Sequence, residues 1–300
     1  SFRFVHFRCR DFHFYCDDCL SKTKTDAYRK PLLPRVRDLR ISFLIYFRIE
    51  NLTQQKSWVF LLILKKQKQM IQKIPIENIL FLDIETVPQT DTWNNLDSTT
   101  QYLWDKKTKS QRKEEIVASD FYEQRAGIMA EFGMIVCISV GMIDNNTGKL
   151  KIKTFSGEER NLLIAFCELF NSPRLNNIIL CAHNGKEFDF PYIARRLLIN
   201  GIQPPIPFQM FGKKPWEIPH IDTMELWKFG DWKSYVSLEL LAHIFGIPTP
   251  KDDIDGSMVA DIYYKEGDID RIIHYCEKDV LTLANVFRRM RQEDLLKRLD

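Results

Sequence analysis

Five acidic or phenolic side chains could form a catalytic centre, and they occur in three separate stretches of the chain. The first stretch carries Asp83 and Glu85, which follow the apolar residues 79–82. Side chains alternate along a strand, so these two carboxylates would share one face. Two acids one pleat apart repel each other, and a hard divalent cation such as Mg²⁺ takes oxygen ligands. On its own, the pattern is equally typical of ordinary acids at a solvated strand end.

Two later stretches carry the other three residues. Asp189 follows a short apolar strand and enters a helix, where a carboxylate also interacts favourably with the helix dipole. Tyr275 and Asp279 are four residues apart within the helix predicted over residues 269–290, so they share one face. A Tyr/Asp pair on a helix is by itself typical of a surface hydrogen bond. The ordered combination of all three stretches is what indicates a common site.

The elements that would position these residues follow from hydrophobic periodicity. Apolar or alternating runs predict four strands, of which the second and third form a hairpin. Ser156 and Glu159 have capping-box spacing ahead of a helix, and Asp268 is well placed to cap the helix over residues 269–290. Strands followed by alternating helices predict an α/β fold with a mixed sheet. The predicted strands are residues 79–87, 134–143, 150–155 and 178–182.

Charge divides the 300-residue chain into two parts. Residues 1–69 carry a net charge of +9 and contain no glycine or methionine, whereas residues 70–300 carry −6. Three interpretations fit the first part: a basic extension that binds nucleic acid, a small accessory domain, or sequence translated upstream of a start at Met70. We favour the last, and expect residues 1–69 to be poorly structured or foreign to the native protein. Residues 70–300 would then form the functional domain.

Cysteine usage and hydropathy bear on the cellular compartment. The seven cysteines are odd in number and lack a regular framework, which is typical of a reduced, intracellular protein. No apolar run approaches the ~20 residues needed to span a bilayer, and no signal peptide is evident. We therefore expect a cytoplasmic protein that does not associate with membranes.

The three stretches, taken in order, resemble the exonuclease motifs of a known superfamily. They are Asp-x-Glu at 83–85, Asn-x-x-x-Phe-Asp at 184–189 and Tyr-x-x-x-Asp at 275–279. This set is similar to the DEDD superfamily of 3′–5′ exonucleases in its tyrosine subtype (DEDDy). The nearest likeness is to the proofreading domain of family B DNA polymerases and to predicted stand-alone exonucleases related to it. The resemblance covers about residues 76–290 and implies a ribonuclease H-like fold, a mixed five-stranded sheet flanked by helices. Residues 91–120 would be an insertion.

The resemblance also implies roles for the motif residues. Asp83, Glu85, Asp189 and Asp279 would hold two Mg²⁺ or Mn²⁺ ions, and Tyr275 would orient the attacking water. Such a site would release nucleoside 5′-monophosphates from the 3′ end of a nucleic acid. Further residues within and beside the motifs are expected to contact the substrate: Thr86, Asn184, Lys186 and Phe188.

The nature of the substrate is constrained by charge. The acidic balance of residues 70–300 favours a short single-stranded end over a large duplex-binding face, and we expect DNA in preference to RNA. Lysines and aromatic residues between 213 and 233 could bind such a strand, or could form a solvated loop. Two alternatives stay open, an exoribonuclease of the same fold and a non-catalytic nucleic-acid-binding module. The chain is too short to hold a polymerase as well, so we expect it to act alone or with a polymerase or repair complex.

Overall fold

The computed structural model describes residues 71–113, 115–175, 177–231, 233–248 and 254–296. Contacts along the chain divide the protein into two units, Ser1–Leu64 and Lys65–Asp300, and every described residue belongs to the second unit. The predictions for residues 1–69, and for a domain boundary at Met70, lie outside the described residues.

Strands and helices alternate along the described chain. The strands are β1 (Ile79–Pro88), β2 (Gly133–Ile143), β3 (Leu150–Ser156), β4 (Ile179–Ala182) and β5 (Ile221–Asp222). The helices are α1 (Ser98–Thr108), α2 (Ala118–Arg125), α3 (Glu159–Glu168), α4 (Asp189–Ile199), α5 (Thr223–Lys228), α6 (Leu238–Ile244) and α7 (Ile269–Met290). A single helical turn at Val259–Asp261 continues as a π-helical turn at Ile262–Glu266. Within these described segments, no helix is long and apolar enough to cross a membrane.

The five strands form one mixed sheet in the order β3-β2-β1-β4-β5. Strand β2 runs antiparallel to both β1 and β3, whereas β4 is parallel to β1 and β5 is parallel to β4. Only β2 therefore runs against the other four strands. The predicted hairpin of β2 and β3 is confirmed, and so is the predicted α/β fold, a mixed five-stranded sheet flanked by helices.

The central strand β1 divides the core into two layers. Leu80 and Leu82 pack into the larger cluster, with side chains of α3 and α4. Ile79 and Phe81 point to the opposite face, where they pack against α7. Because side chains alternate along a strand, Asp83 continues the face that is turned towards α7. The strand therefore directs its acids at the long C-terminal helix.

Helix α7 has the bounds that its periodicity predicts. The carboxylate of Asp268 accepts the backbone N–H of Arg271 at 3.1 Å, which confirms the predicted N-cap. Its buried side chains recur every four residues from Ile272 to Val280, and residues 282–287 are buried all round. Phe287 meets Phe81 edge to face, with ring centroids 5.9 Å apart. Burial of each such side chain stabilises the fold by about 1.5–3 kcal/mol, so α7 is held firmly over β1.

The predicted insertion, residues 91–120, folds against a small core of its own. Helices α1 and α2 enclose Trp104, Tyr122 and Phe132. The indole Nε1 of Trp104 donates to the carbonyl of Ala118 at 2.9 Å, which joins the two helices. The segment is thus a packed pair of helices that follows β1 in the chain.

Candidate metal centre

The C-terminal half of β1 presents two acids at an open edge of the sheet. In the ladder with β2, Asp83 lies opposite Ser139 and Glu85 lies opposite Cys137. The parallel ladder with β4 extends only as far as Phe81, so β4 does not cover the edge beyond it. The register shifts between Glu85 and the next residue, which marks a β-bulge. Such bulges are frequent beside active sites because they redirect a side chain.

The charges of two further carboxylates, Asp189 and Asp279, reach this pair of acids. Burial raises the pKa of Asp83 well above its usual range, and the nearby charges of Glu85, Asp279 and Asp189 raise it further. Burial likewise raises the pKa of Glu85, and Asp279 and Asp189 again contribute. Burial and the charges of Asp189 and Asp279 therefore both oppose the ionisation of Asp83 and of Glu85. Like charges gathered in a partly dry site are typical of a functional centre.

Asp189 reaches the centre from the first turn of α4. It is buried, and burial raises the pKa of its carboxyl to about 8. A hydrogen bond with the backbone of Ile84 opposes that rise and connects the carboxylate to the edge of β1 that β4 leaves open. The negative charge of Asp222 acts in the same direction as burial. Asp189 also lies in the first turn of α4, where the helix dipole favours a carboxylate, as the alternative interpretation of this residue predicts.

Tyr275 and Asp279 lie on the face of α7 that is turned towards β1. Their side chains are joined by a hydrogen bond, and burial together with the charge of Asp279 raises the pKa of Tyr275 above its usual range. Glu85 and Asp83 add to that rise, so the phenol lies within reach of their charge. The phenol is therefore held in its protonated form, able to donate and accept hydrogen bonds.

Cys276 is a member of the cluster that sequence reasoning missed. Its buried thiol lies 3.4 Å from Oδ2 of Asp83 and 3.5 Å from the backbone carbonyl of Asp83, and donates to both. Burial raises the pKa of this thiol well above its usual range, so it stays protonated as a donor. Its place beside Tyr275 within the third motif was the available signal.

The donor set suits a hard divalent cation. Carboxylate oxygens of Asp83 and Glu85 lie within 4.8 Å of each other and of the Cys276 sulfur, which as a protonated thiol serves as a hydrogen-bond donor and not as a ligand of a hard cation. The charges of Asp189 and Asp279 act on the same two acids. Carboxylate oxygen is the ligand that Mg²⁺ and Mn²⁺ prefer, and a cation would relieve the repulsion that raises these pKa values. The residues therefore fit the implied metal.

The four predicted substrate contacts differ in exposure and in their partners within the protein. Thr86 is half-buried and hydrogen-bonds to the hydroxyl of Tyr192. Phe188 is partly buried and packs on Tyr192, with ring centroids 5.3 Å apart. The ammonium of Lys186 is 2.6 Å from a carboxylate oxygen of Glu225, and only 12% of its side chain is exposed. This ion pair turns Lys186 towards α5.

Asn184 occupies the turn that leads into α4, with a left-handed φ of 62°. Its backbone N–H donates to Oδ1 of Asp222 at 3.0 Å, and the backbone N–H of Lys186 donates to Oδ2 at 3.1 Å. Asp222 is buried and also caps α5. Sequence reasoning missed Asp222, although Asp222 and Glu225 have the spacing of a helix start.

The chain matches a protein-family model and solved structures. A family model described as a predicted 3′–5′ exonuclease related to the exonuclease domain of PolB matches residues 128–296, more than half of the chain. That segment includes Asp189, Tyr275 and Asp279 and begins after Asp83 and Glu85. The solved family B DNA polymerase from the hyperthermophilic archaeon Pyrobaculum calidifontis is 15% identical, with a TM-score of 0.40. The match covers 69% of this chain and 24% of that one, so this chain corresponds to about a quarter of the polymerase. No curated protein matches the sequence.

Proposed function

Because the chain belongs to the family of predicted 3′–5′ exonucleases related to the exonuclease domain of PolB, we propose that it is a metal-dependent 3′–5′ exonuclease. Its substrate is the 3′ end of a single-stranded nucleic acid, with DNA preferred over RNA, and its products are nucleoside 5′-monophosphates. The observation that supports this proposal is that two acids of β1 lie together in a buried position where the charges of Asp189 and Asp279 reach them, beside a tyrosine. A fold without catalysis gains nothing from holding four repelling acids together.

Asp83, Glu85, Asp189 and Asp279 hold the cations in this proposal. When bound, two Mg²⁺ or Mn²⁺ ions activate water and stabilise the leaving oxygen of a phosphodiester. The chain itself supplies position and charge. The thiol of Cys276 donates to Oδ2 of Asp83 at 3.4 Å and so fixes that carboxylate.

Tyr275 orients the water that attacks phosphorus. A phenol whose pKa is raised is a poor base at neutral pH, but it remains a good hydrogen-bond partner. Its bond to Asp279 fixes the direction of the hydroxyl. The tyrosine therefore acts by placing the nucleophile and does not remove its proton.

The test is digestion of 5′-labelled single strands of DNA and RNA of equal sequence, with Mg²⁺, with Mn²⁺ and with EDTA. We expect shortening by single nucleotides from the 3′ end, faster on DNA and absent in EDTA. Asp83→Asn should lower the rate by about 10²–10³-fold, since a metal contributes several kcal/mol of charge stabilisation. The control is Asp261→Asn, which removes an exposed acid paired with Lys265 and should retain full activity.

Three outcomes would overturn parts of the proposal. Equal rates in wild type and Asp83→Asn would point to a contaminating nuclease. Binding of the strand without hydrolysis would identify a non-catalytic binding module. Faster hydrolysis of RNA would identify an exoribonuclease.

A further inference from the structure

Exposed aromatic side chains are concentrated in one segment of the described chain. Five aromatic side chains are strongly exposed among the described residues, and four of them lie between residues 211 and 235. Two of these four carry a lysine ammonium over the ring: Lys214 at 5.3 Å from Trp216 and Lys228 at 4.3 Å from Tyr235. Large aromatic rings are usually buried, so a group of exposed ones marks an interaction surface. The four are Phe211, Trp216, Phe229 and Tyr235.

The end of α5 holds one of these rings in an unusual backbone conformation. Phe229 follows the last residue of the helix with φ 44° and ψ 31°, in the left-handed region. Gly230, which could adopt that region without strain, is the next residue. Phe229 is nevertheless 74% exposed. Backbone strain of this kind is frequent at functional sites, so we infer that the exposed ring has a functional role.

This part of the surface adjoins the turn that delivers Asp189. The Nζ of Lys228, beneath the ring of Tyr235, lies 3.9 Å from a carboxylate oxygen of Glu187. At the other end of this turn, Nε2 of His183 is 2.8 Å from the carbonyl of Val236. Contacts on both sides of the turn therefore connect the segment 228–236 to the residues immediately before α4.

We propose that Lys228, Phe229 and Tyr235 form a stacking platform for the single strand, at nucleotides on the 5′ side of the bond that is cleaved. The proposal rests on the proposed function, because a strand whose 3′ end enters the metal centre must cross an adjoining surface. Flat aromatic rings stack on any base, and a lysine ammonium attracts the phosphates. The platform therefore binds strands without regard to sequence, and makes longer strands better substrates than isolated phosphodiesters.

The test compares two substrates in the full chain. One is a single strand of about ten nucleotides, within the range of sites built by stacking. The other is the p-nitrophenyl ester of thymidine 5′-monophosphate, which has a phosphodiester but no strand. In the double variant Phe229→Ala/Tyr235→Ala, the ratio of kcat/KM on the strand to kcat/KM on the ester should fall about 10- to 100-fold, as loss of base stacking implies. Tyr235→Trp, which keeps a stacking ring, should retain the ratio.

Tyr102→Ala is the matched control. Tyr102 is 62% exposed, against 66% for Tyr235, and lies on α1, which packs on α2. Its ratio should equal that of the wild type. An equal fall in Tyr102→Ala, or no fall in the double variant, would overturn the platform.

A measurement of strand binding distinguishes a failure of this proposal from a failure of the proposed function. Fluorescence anisotropy of the labelled strand is measured in EDTA, where no hydrolysis occurs. Weaker binding by the double variant, about 10- to 100-fold, supports the platform even if the wild type is inactive on both substrates. Equal affinity of the two proteins, or no affinity in the wild type, overturns the platform and identifies the surface as a site for another partner. Inactivity on both substrates overturns the proposed function alone.

Discussion

The carboxylate of Asp222 accepts the backbone N–H of Asn184 at 3.0 Å, and this bond fixes how the chain enters α4. Asn184 has a left-handed φ, a conformation that needs local support in a residue other than glycine. The same carboxylate accepts the backbone N–H of Lys186, and its Oδ1 accepts that of Met224 at the start of α5. One buried acid thus joins the end of β5 to the turn that precedes Asp189.

Replacing Asp222 with alanine should destabilise the fold and disturb the metal centre. Hydrogen bonds to a charged group contribute about 1.5–3 kcal/mol each, and several buried N–H groups would lose their acceptor, so we expect a loss of about 3 kcal/mol in the free energy of unfolding. The concentration of Mn²⁺ needed for half-maximal activity should rise, because Asp189 is no longer held. Urea denaturation and a Mn²⁺ titration measure the two effects.

Asp231→Ala is the control for this prediction. Asp231 also accepts a backbone N–H, that of Lys233, but at an exposed turn. Its loss should change the free energy of unfolding by less than about 0.5 kcal/mol. Equal effects of Asp222→Ala and Asp231→Ala would contradict the role assigned to Asp222.

Glu85→Gln should make the metal-free protein more stable at pH 8. Burial, and then the charge of Asp279, raise the pKa of Glu85 in the folded state above its value in the unfolded chain. The unfolded state therefore loses its proton first, and stability falls as pH rises from the unfolded pKa towards the folded one. Removing the charge should therefore raise the free energy of unfolding at pH 8, and raise it less at pH 5, where the wild-type carboxyl is closer to its protonated form in both states.

The measurement is thermal unfolding in EDTA at both pH values, repeated with Mn²⁺. In Glu85→Gln, the stabilisation by Mn²⁺ should be smaller than in the wild type. Glu131→Gln, which alters a surface acid paired with Lys107, should behave as the wild type within about 1 kcal/mol. Lower stability of Glu85→Gln in EDTA at pH 8 would show that the carboxylate charge is favourable there.

Sequence patterns predicted those helices and strands whose hydrophobic residues recur with a regular local period. The amphipathic stripe of α7 and its cap at Asp268 appear in the structure with the predicted bounds, because both signals lie within the helix itself. Strand β1 likewise follows its apolar run. Alternation along β1 predicted only that Asp83 and Glu85 share one face. That this face is turned towards α7 follows from the packing of Ile79 and Phe81 on the helix, a contact between distant residues.

Local sequence patterns could not predict contacts between residues far apart in the chain. The capping box predicted from Ser156 and Glu159 was wrong for this reason. The N-cap of α3 is Glu158, whose carboxylate accepts the backbone N–H groups of Arg160 and Asn161. Glu159, at the spacing expected for the box, instead pairs with Arg196 of α4. Spacing alone could not show a partner 37 residues away. The contacts of Asp222 with the turn before α4 were missed for the same reason.

Glu159→Gln should be among the most destabilising single changes where α3 contacts α4 and β2. Its carboxylate accepts Nε and Nη2 of Arg196 at 2.8 and 2.5 Å, and the backbone N–H of Ile135 at 2.7 Å. Arg196 is buried, so loss of the acid leaves an uncompensated buried charge, which is destabilising by about 3–5 kcal/mol. Urea denaturation measures the change, and Glu131→Gln at the exposed pair with Lys107 serves as the control. Similar values for the two variants would contradict a structural role for the buried pair.

Tyr275→Phe should lower the rate of hydrolysis without weakening the binding of metal or substrate. The ring keeps its packing on α7, and only the hydroxyl that bonds to Asp279 is lost. If that hydroxyl orients water, kcat should fall by about 10- to 100-fold, equivalent to about 1.4–2.7 kcal/mol in the barrier. KM and the half-saturating Mn²⁺ concentration should change less than about twofold, because an interaction made only in the transition state affects kcat alone.

Because the pKa of Tyr275 is raised, the wild type should show no phenol ionisation in the neutral range of its pH–rate profile. Tyr264→Phe, which removes a hydroxyl that donates to the carbonyl of Pro88 at 2.6 Å, should retain kcat. A rise in half-saturating Mn²⁺ large enough to explain the whole loss in Tyr275→Phe would assign the tyrosine to metal binding through Asp279.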